Sequence, residues 1–511
     1  MNMPNLGLFK ERSESSCDKI FYLSLVGFTL LHIVILLTTP LDLVSDEALY
    51  WEYSKHLDWS YYAKGPGIGV ANWISSSIFG DTAFGVRSIA LFCFGIFSAM
   101  LYLFVKRAYS APTALAAFLF VRVTIFFIYT GFISTTDPLV ILFWLSSLIF
   151  AYFAISKNNT KYWAAALPLV GLAILAKYTA AILIPGYGAV LLFHRSLQHH
   201  LKSLGWWLGC LLFLIFISPI FIWNAQHEWA NFQHNLGHAV GKSTPIYFQK
   251  LPELIAGQIG LLGPVFFALL CLAIWSGVRR WFKESDPILA LWLSATVPLL
   301  LVCINVSATR SCYGNWPLPA YIGGLLLVVH EFKNLNKESW FRKAIIVNVV
   351  MALPVQLVWY LPLILPDNVP LPLLVRRMVG WTSLGGEVEK FVRNHNPSGN
   401  MPFVLATDYM TAASLTFAIK PDIQVRLGSF QGRRLSEQDY WQSWSELIDK
   451  DALVVSKEDS KDVINGVPGW FKKCQKVEIN NLPPPERLAK DFSFLLCKNF
   501  TGKEPVITGA W

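Results

Sequence analysis

The chain has 511 residues, of which 54% are hydrophobic and only 15% charged, with a formal net charge of +9. A soluble domain carries about 25% charged residues, so this composition excludes an ordinary soluble protein and indicates a polytopic membrane protein. The positive charge is concentrated in short loops between apolar runs, a membrane-topology signal that needs no nucleic-acid partner.

Residues 1–20 are read as a cytoplasmic N-terminal segment, and 21–366 as a transmembrane domain. About eleven runs are candidate spans, near 21–40, 83–105, 112–131, 138–155, 162–176, 179–193, 205–223, 253–275, 286–305, 317–331 and 344–365. The measure is the ~18 to 20 apolar residues that cross a ~30 Å hydrocarbon core. The first run lacks a small-residue cleavage site and reads as an uncleaved span. As one helix, 162–193 would be roughly 48 Å long at 1.5 Å per residue, so it is divided at Lys177-Tyr178-Thr179, with a re-entrant pair left open. Lys106, Arg107, Lys157, Arg195, Arg279, Arg280, Arg342 and Lys343 fall in loops on one side; the opposite loops hold chiefly Lys55, Lys64, Lys177, Lys242, Lys250 and Arg310. The excess of cations marks the first side as cytoplasmic.

Residues 367–511 change to a soluble mixture and are read as a small α/β domain on the outer, periplasmic side. "PFVLATDY", "IQVRLG", "ALVVS" and "FSFLLCKNF" have strand character, and "LGGEVEKFVRNH" and "EQDYWQSWSELIDK" read as amphipathic helices. Cys474 and Cys497 flank a hairpin-like region, and an oxidising compartment permits a bridge between them.

Five polar clusters then fall on the outer side: "SDEALYW", "STTDP", "LAKYTA", "WNAQHEWANFQHNLGH" and "ATRSCYGNWP". Their convergence on one face marks a site. Asp46 and Glu47 suit the positive end of an interfacial helix, and Asp137 suits a helix start before Pro138. All three are also candidate catalytic carboxylates. Lys64 stands in "YYAKGPG", walled by Tyr61 and Tyr62, and either snorkels to the headgroups or meets a ligand. Lys177 lies in a short turn at membrane depth, where an ionisable group is a functional candidate, with Tyr178 beside it. Arg310 is a third outer cation, able to fork onto a phosphate. His227 is a candidate substrate contact, whereas His227, His234 and His238 do not make a zinc spacing. The set suits a substrate joining an anionic group to a polyhydroxylated one. Arg122, inside the third span, has no evident partner.

Taken in order, "DEALYW…HLDWSYYAKGPG", "TTDPL", "LAKYTA", "WNAQHEWANF", "GQIGLLGP" and "NWPLPAY" resemble the bacterial membrane glycosyltransferases of the GT-C fold. The resemblance is nearest to the group holding the lipid A aminoarabinose transferase, related to the protein O-mannosyltransferases. It runs from about residue 20 to 331 and more faintly into the C-terminal region. It implies a multi-pass inner-membrane enzyme, a monomer, moving sugar from a polyprenyl-phosphate donor to a lipid or protein acceptor on the periplasmic face. It places Asp46, with Glu47, and Asp137 as the acidic positions. Lys64 and Lys177 become the phosphate ligands, with Arg310 more loosely so; beside these, Tyr62, Tyr178 and His227 are candidate substrate contacts. Many relatives carry Pro-Pro after the position of Lys64, where this chain has Gly65-Pro66. No cofactor is required, although a divalent cation stays open. The rival class is a non-enzymatic flippase of lipid-linked sugars, which would favour polar residues at mid-membrane on broken helices.

Overall fold

The computed structural model describes residues 13–240, 250–335, 338–395, 401–430, 433–457, 469–480, 482, 484 and 491–507. Lys242 and most of the 1–20 segment lie outside them. Among the described residues, seven helices are long and apolar enough to cross a membrane, or eight if Ala111–Val123 and Ile125–Phe132 form one span bent by 67°. Three further predicted spans are shorter apolar helices, Thr160–Ala176, Tyr178–Phe193 and Leu318–Glu331. Several starts are set by short polar caps: Thr82, Ser110 and Ser203 accept from backbone N–H groups of the following turn.

One predicted span is corrected. The run 253–275 breaks at Gly263 into Leu251–Leu262 and Pro264–Glu284. Gly263 has φ +83°, and a Cβ there would lie 1.9 Å from Asn348 Oδ1. Only glycine fits that backbone, and Asn348 donates to the carbonyl of Leu262 at 3.0 Å across the break. The division at Lys177 stands, because Lys177 is extended and a 3₁₀ turn over Tyr178–Ile182 follows it.

The C-terminal unit is a five-stranded sheet of β1 (Phe403–Ala406), β2 (Val425–Leu427), β3 (Ala452–Ser456), β4 (Phe471–Val477) and β5 (Ser493–Phe500) in the order β2-β1-β3-β5-β4. Pairs β1–β2 and β1–β3 are parallel, and β5 runs antiparallel to β3 and β4. Cys474 and Cys497 stand opposite each other in the β4–β5 register and are disulfide-bonded. The strand β4 and the helix Tyr409–Ala418 are absent from the expectations above. Conversely, the helix expected over 437–450 reduces to Gln438–Trp441 and a 3₁₀ turn at Ser445–Leu447. Its aromatic residues are turned to another purpose.

Leu371, Val375, Met378 and Val379 still pack against Ile35, Leu91, Phe132 and Trp359, whereas Trp381 belongs to the sheet's own core. Several contacts hold the units together, and two of them lie near the start of the membrane unit. Asp42, in the first connector, accepts from the backbone N–H groups of Trp381 (2.7 Å) and Thr382 (3.3 Å), so it caps the helix Trp381–Asn394. The helix Tyr409–Ala418 lies on Ser45–Lys55, where Ser414 meets Ser45 at 3.1 Å and Phe417 sets its edge on Trp51.

Candidate active site

The helix Ser45–Lys55 opens with the two adjacent carboxylates. Successive helical residues are turned about 100° from each other, and here that turn separates their environments. Glu47 is fully buried. It takes Arg87 through Nη2 (2.7 Å) and Nε (3.0 Å), and backbone N–H groups of Val44 (3.0 Å) and Ser134 (2.8 Å). Arg87 also donates to the carbonyls of Leu41 and Asp42. Glu47 therefore ties connector, long helix and the 133–136 turn together, and its carboxylate is turned into the protein. Arg87 itself escapes sequence reading because it sits within an apolar helix.

Asp46 keeps exposed surface while being walled by protein, and its carboxylate has no hydrogen-bond partner among the described residues. Burial raises its pKa above the usual carboxylate value; Glu47 adds to the rise, and Lys64 and Arg377 oppose it.

Lys64 is held by an unusually pinned loop. Its carbonyl accepts from the Tyr61 N–H (3.0 Å) and the Ser60 hydroxyl (3.2 Å), and Asn231 donates to the Tyr61 carbonyl at 2.6 Å. Gly65 and Gly67 are needed for close approach, since a Cβ at Gly65 would lie 2.3 Å from the Leu175 carbonyl oxygen. The loop backbone thus rests on the end of the helix preceding Lys177, and the two ammonium groups share one field. Burial and Lys177 lower the Lys64 pKa, while Asp46, Glu437 and Asp137 hold it up. The Lys64 side chain has no hydrogen-bond partner among the described residues.

Lys177 is already engaged. It pairs with Asp137 at 2.7 Å and donates to the Asn315 carbonyl at 3.1 Å, and the Asn315 amide donates to the other Asp137 oxygen at 2.7 Å. An ammonium has three donors, so one of Lys177's remains for a ligand. Asn315, in "GNWP", is a member that residue-by-residue reading passed over because a neutral amide carries no charge signal. Arg310 donates to the Gly237 carbonyl at 3.1 Å and joins neither carboxylate. Tyr178 lies under the loop, its hydroxyl 3.5 Å from Ser60 Oγ.

The remaining sequence candidates lie along the loop rather than at the ion pair. Tyr62 packs on His234, and His227 stacks on Trp223 at 4.0 Å beside Tyr440. Two left-handed residues follow His227, Glu228 (φ 52°) and Trp229 (φ 60°), a conformation disfavoured for both. The C-terminal unit supplies what sequence reading missed entirely. Glu437, 4% exposed, accepts from the Ala63 N–H at 2.6 Å, and Gln438 donates to Glu52 at 2.8 Å. Trp441 sets its plane against Tyr53 and Tyr61 and stacks on His56. Arg122 rests between the rings of Phe28 (5.2 Å) and Phe94 (4.8 Å), remote from these contacts. Among the described residues no three His, Cys, Asp or Glu side chains group as a metal site.

All five polar clusters read from the sequence are joined by hydrogen bonds. The 45–67 segment reaches 134 through Glu47, Asp137 reaches 177 and 315, and Asn231 reaches the loop at Tyr61. Arg310 adds a bond to the 230–240 helix.

Comparison with known proteins bears on the fold and the relatives of the chain. The profile of the dolichyl-phosphate-mannose-protein mannosyltransferase family matches residues 63–223, a stretch holding Lys64, Asp137 and Lys177. The chain is 24% identical over 369 residues to lipid A galacturonosyltransferase RgtD of Rhizobium johnstonii, covering 71% of this chain and 76% of that one. The crystal structure of ArnT from Cupriavidus metallidurans superimposes in the apo state with a TM-score of 0.63 at 14% identity, covering 94% of this chain and 98% of that one. The same protein bound to undecaprenyl phosphate gives a TM-score of 0.62 at 13% identity, covering 92% and 97%. The chain has the membrane GT-C fold, and the resemblance carried by its motifs holds.

Proposed function

We propose that the chain is an inner-membrane glycosyltransferase that moves a sugar from a polyprenyl-phosphate carrier to an envelope acceptor of the lipid A type, with inversion. The observation that carries this reading is one cluster of charges: an unpaired carboxylate, Asp46, in the field of an unpaired ammonium, Lys64, which in turn shares the field of a second ammonium, Lys177, with a donor to spare. The bond between the anomeric carbon and the phosphate oxygen breaks, and its electron pair stays on the phosphate. Lys64 and Lys177 offset that developing charge from fixed positions. Asp46 takes the proton of an acceptor hydroxyl, and a raised pKa suits it to that task. An acceptor that is itself a phosphate arrives ionised, and Asp46 then serves to orient the sugar. Attack from the face opposite the phosphate inverts the centre. Asp137 holds Lys177 in place, while Glu47 holds the frame.

The name of the relative RgtD supports a lipid A acceptor, and the undecaprenyl phosphate bound to ArnT supports the donor class. A protein acceptor is the second reading, favoured by the description of the matching family profile. The basic loops support an N-terminus in the cytoplasm and a periplasmic C-terminal unit; alkaline phosphatase fused after Trp381 should then be active.

Purified full-length chain should bind undecaprenyl phosphate in native mass spectrometry. Envelope lipids of a deletion strain should lose one glycosyl mass. Loss from the protein fraction alone would move the acceptor to protein. An unchanged envelope together with no lipid-phosphate binding would overturn the reading.

A further inference from the structure

A crevice of about 320 Å³, the open solvent at its mouth included, has none of Asp46, Lys64, Asp137 and Lys177 in its lining. Asp58, Tyr62, Trp223 and His227 from the membrane unit line it, together with Glu437 and Tyr440 from the C-terminal unit. The wall is built. The Trp223 indole N–H donates to Asp58 at 2.9 Å, His227 stacks on Trp223, and Tyr440 sets its edge on both rings, at 5.5 Å and 5.2 Å. Tyr440 is 38% exposed, so part of its ring is free to meet a ligand.

One polar atom is left over. The Tyr62 hydroxyl is buried, its residue 2% exposed, and it has no hydrogen-bond partner among the described residues. The Tyr62 hydroxyl is thus an unsatisfied polar group in the wall behind the crevice. The lining states which kind of occupant suits the space: aromatic rings offer flat apolar contact, and two carboxylates and the Tyr440 phenol offer hydrogen bonds at the margin. That combination suits a pyranose ring, whose faces are C–H and whose edges are hydroxyl. Neither Lys nor Arg lines the crevice, so a sugar bearing its own carboxylate would meet Asp58 and Glu437 with no cation in the wall beside it.

We propose that this crevice is a saccharide subsite shared between the two units, selecting neutral or amino sugars over uronic acids. It rests on the glycosyltransferase reading, and its ring can come from the donor or from the acceptor.

The test uses full-length chain in a detergent without a sugar headgroup, with methyl glucoside, methyl glucosaminide and methyl glucuronide as probes in saturation-transfer NMR. The first two should bind and the glucuronide should bind at least about tenfold more weakly, a difference of ~1.4 kcal/mol. Tyr440→Ala should weaken glucoside binding about tenfold or more. Asp58→Asn still accepts the Trp223 indole and should narrow the gap between glucoside and glucuronide. Equal binding of all three by the wild type, or unchanged binding in Tyr440→Ala, overturns the proposal. Undecaprenyl phosphate binding, followed in the same samples, keeps the two readings apart. If it persists while no glycoside binds, only the subsite fails; if the wild type never binds it, the functional reading fails. Displacement of bound methyl glucoside by a polyprenyl-phosphate mannose would support a donor-sugar subsite, and simultaneous binding an acceptor-sugar subsite.

Discussion

Asp46 and Glu47 are neighbours in the chain, yet they belong to regions with opposite design. Around Glu47 both carboxylate oxygens and the guanidinium of Arg87 are matched by partners, with no surface left open. Asp46 and Lys64 lie in each other's field, and neither side chain is hydrogen-bonded to another described residue. Satisfied buried charge holds the shape, and unsatisfied charge is left over for the ligand proposed above. Lys177 stands between the two, half committed to Asp137.

The comparison breaks most violently at Arg87. Arg87→Ala leaves Glu47 buried without its countercharge, a loss of about 3–5 kcal/mol, and folded protein should vanish from membranes in size-exclusion chromatography. Asp46→Asn should fold normally and bind lipid phosphate, while transfer falls by roughly two to four orders of magnitude. Wild-type turnover in that variant would sink the assignment of Asp46. Next come the lysines. Lys64→Ala should cost donor recognition on the order of a few kcal/mol with an unchanged melting temperature. Lys177→Ala should cost recognition and lower the melting temperature as well, because Asp137 is left buried and without its countercharge.

A smaller effect follows at the seam between the units. Burial lifts the Glu52 pKa from 4.5 to about 7, against the opposing hydrogen bond from Gln438. The folded state therefore retains a proton that the unfolded state has lost between about pH 4.5 and 7, and stability contributed by Glu52 declines through that window. The decline is on the order of 3 kcal/mol, at ~1.4 kcal/mol for each pH unit the window spans. Glu52→Gln should remove that pH dependence from unfolding curves; identical curves for the two proteins would dismiss it. The smallest effect belongs to Lys55→Ala. Its pair with Asp81 at 2.7 Å is exposed, worth at most ~1 kcal/mol, so transfer and melting should barely change.

Much of the site is legible in the sequence. Asp46, Lys64, Asp137 and Lys177 announce themselves as charges beside apolar runs, where an ionisable group is too costly to be idle. Asn315 gives no such signal, and Arg87 is hidden by the helix around it. The segment 437–441 misleads in the other direction. Its pattern suggests a longer helix, but docking of Gln438, Tyr440 and Trp441 onto the membrane unit overrides local propensity.

By itself, then, the sequence determined the membrane class, the clustering of polar segments and four charges of the candidate site, because hydropathy and charge cost are local properties. It also carried strands β1, β2, β3 and β5 through their apolar runs. Only the tertiary structure decided which of two adjacent carboxylates is left without a partner, since a helical turn of about 100° per residue acquires meaning only from what packs on each side. It likewise decided that Gly65 and Gly67 serve contact with Leu175, and that Glu437 reaches Ala63 across 374 residues of chain. Such contacts are fixed by the meeting of distant backbones, which no local pattern records.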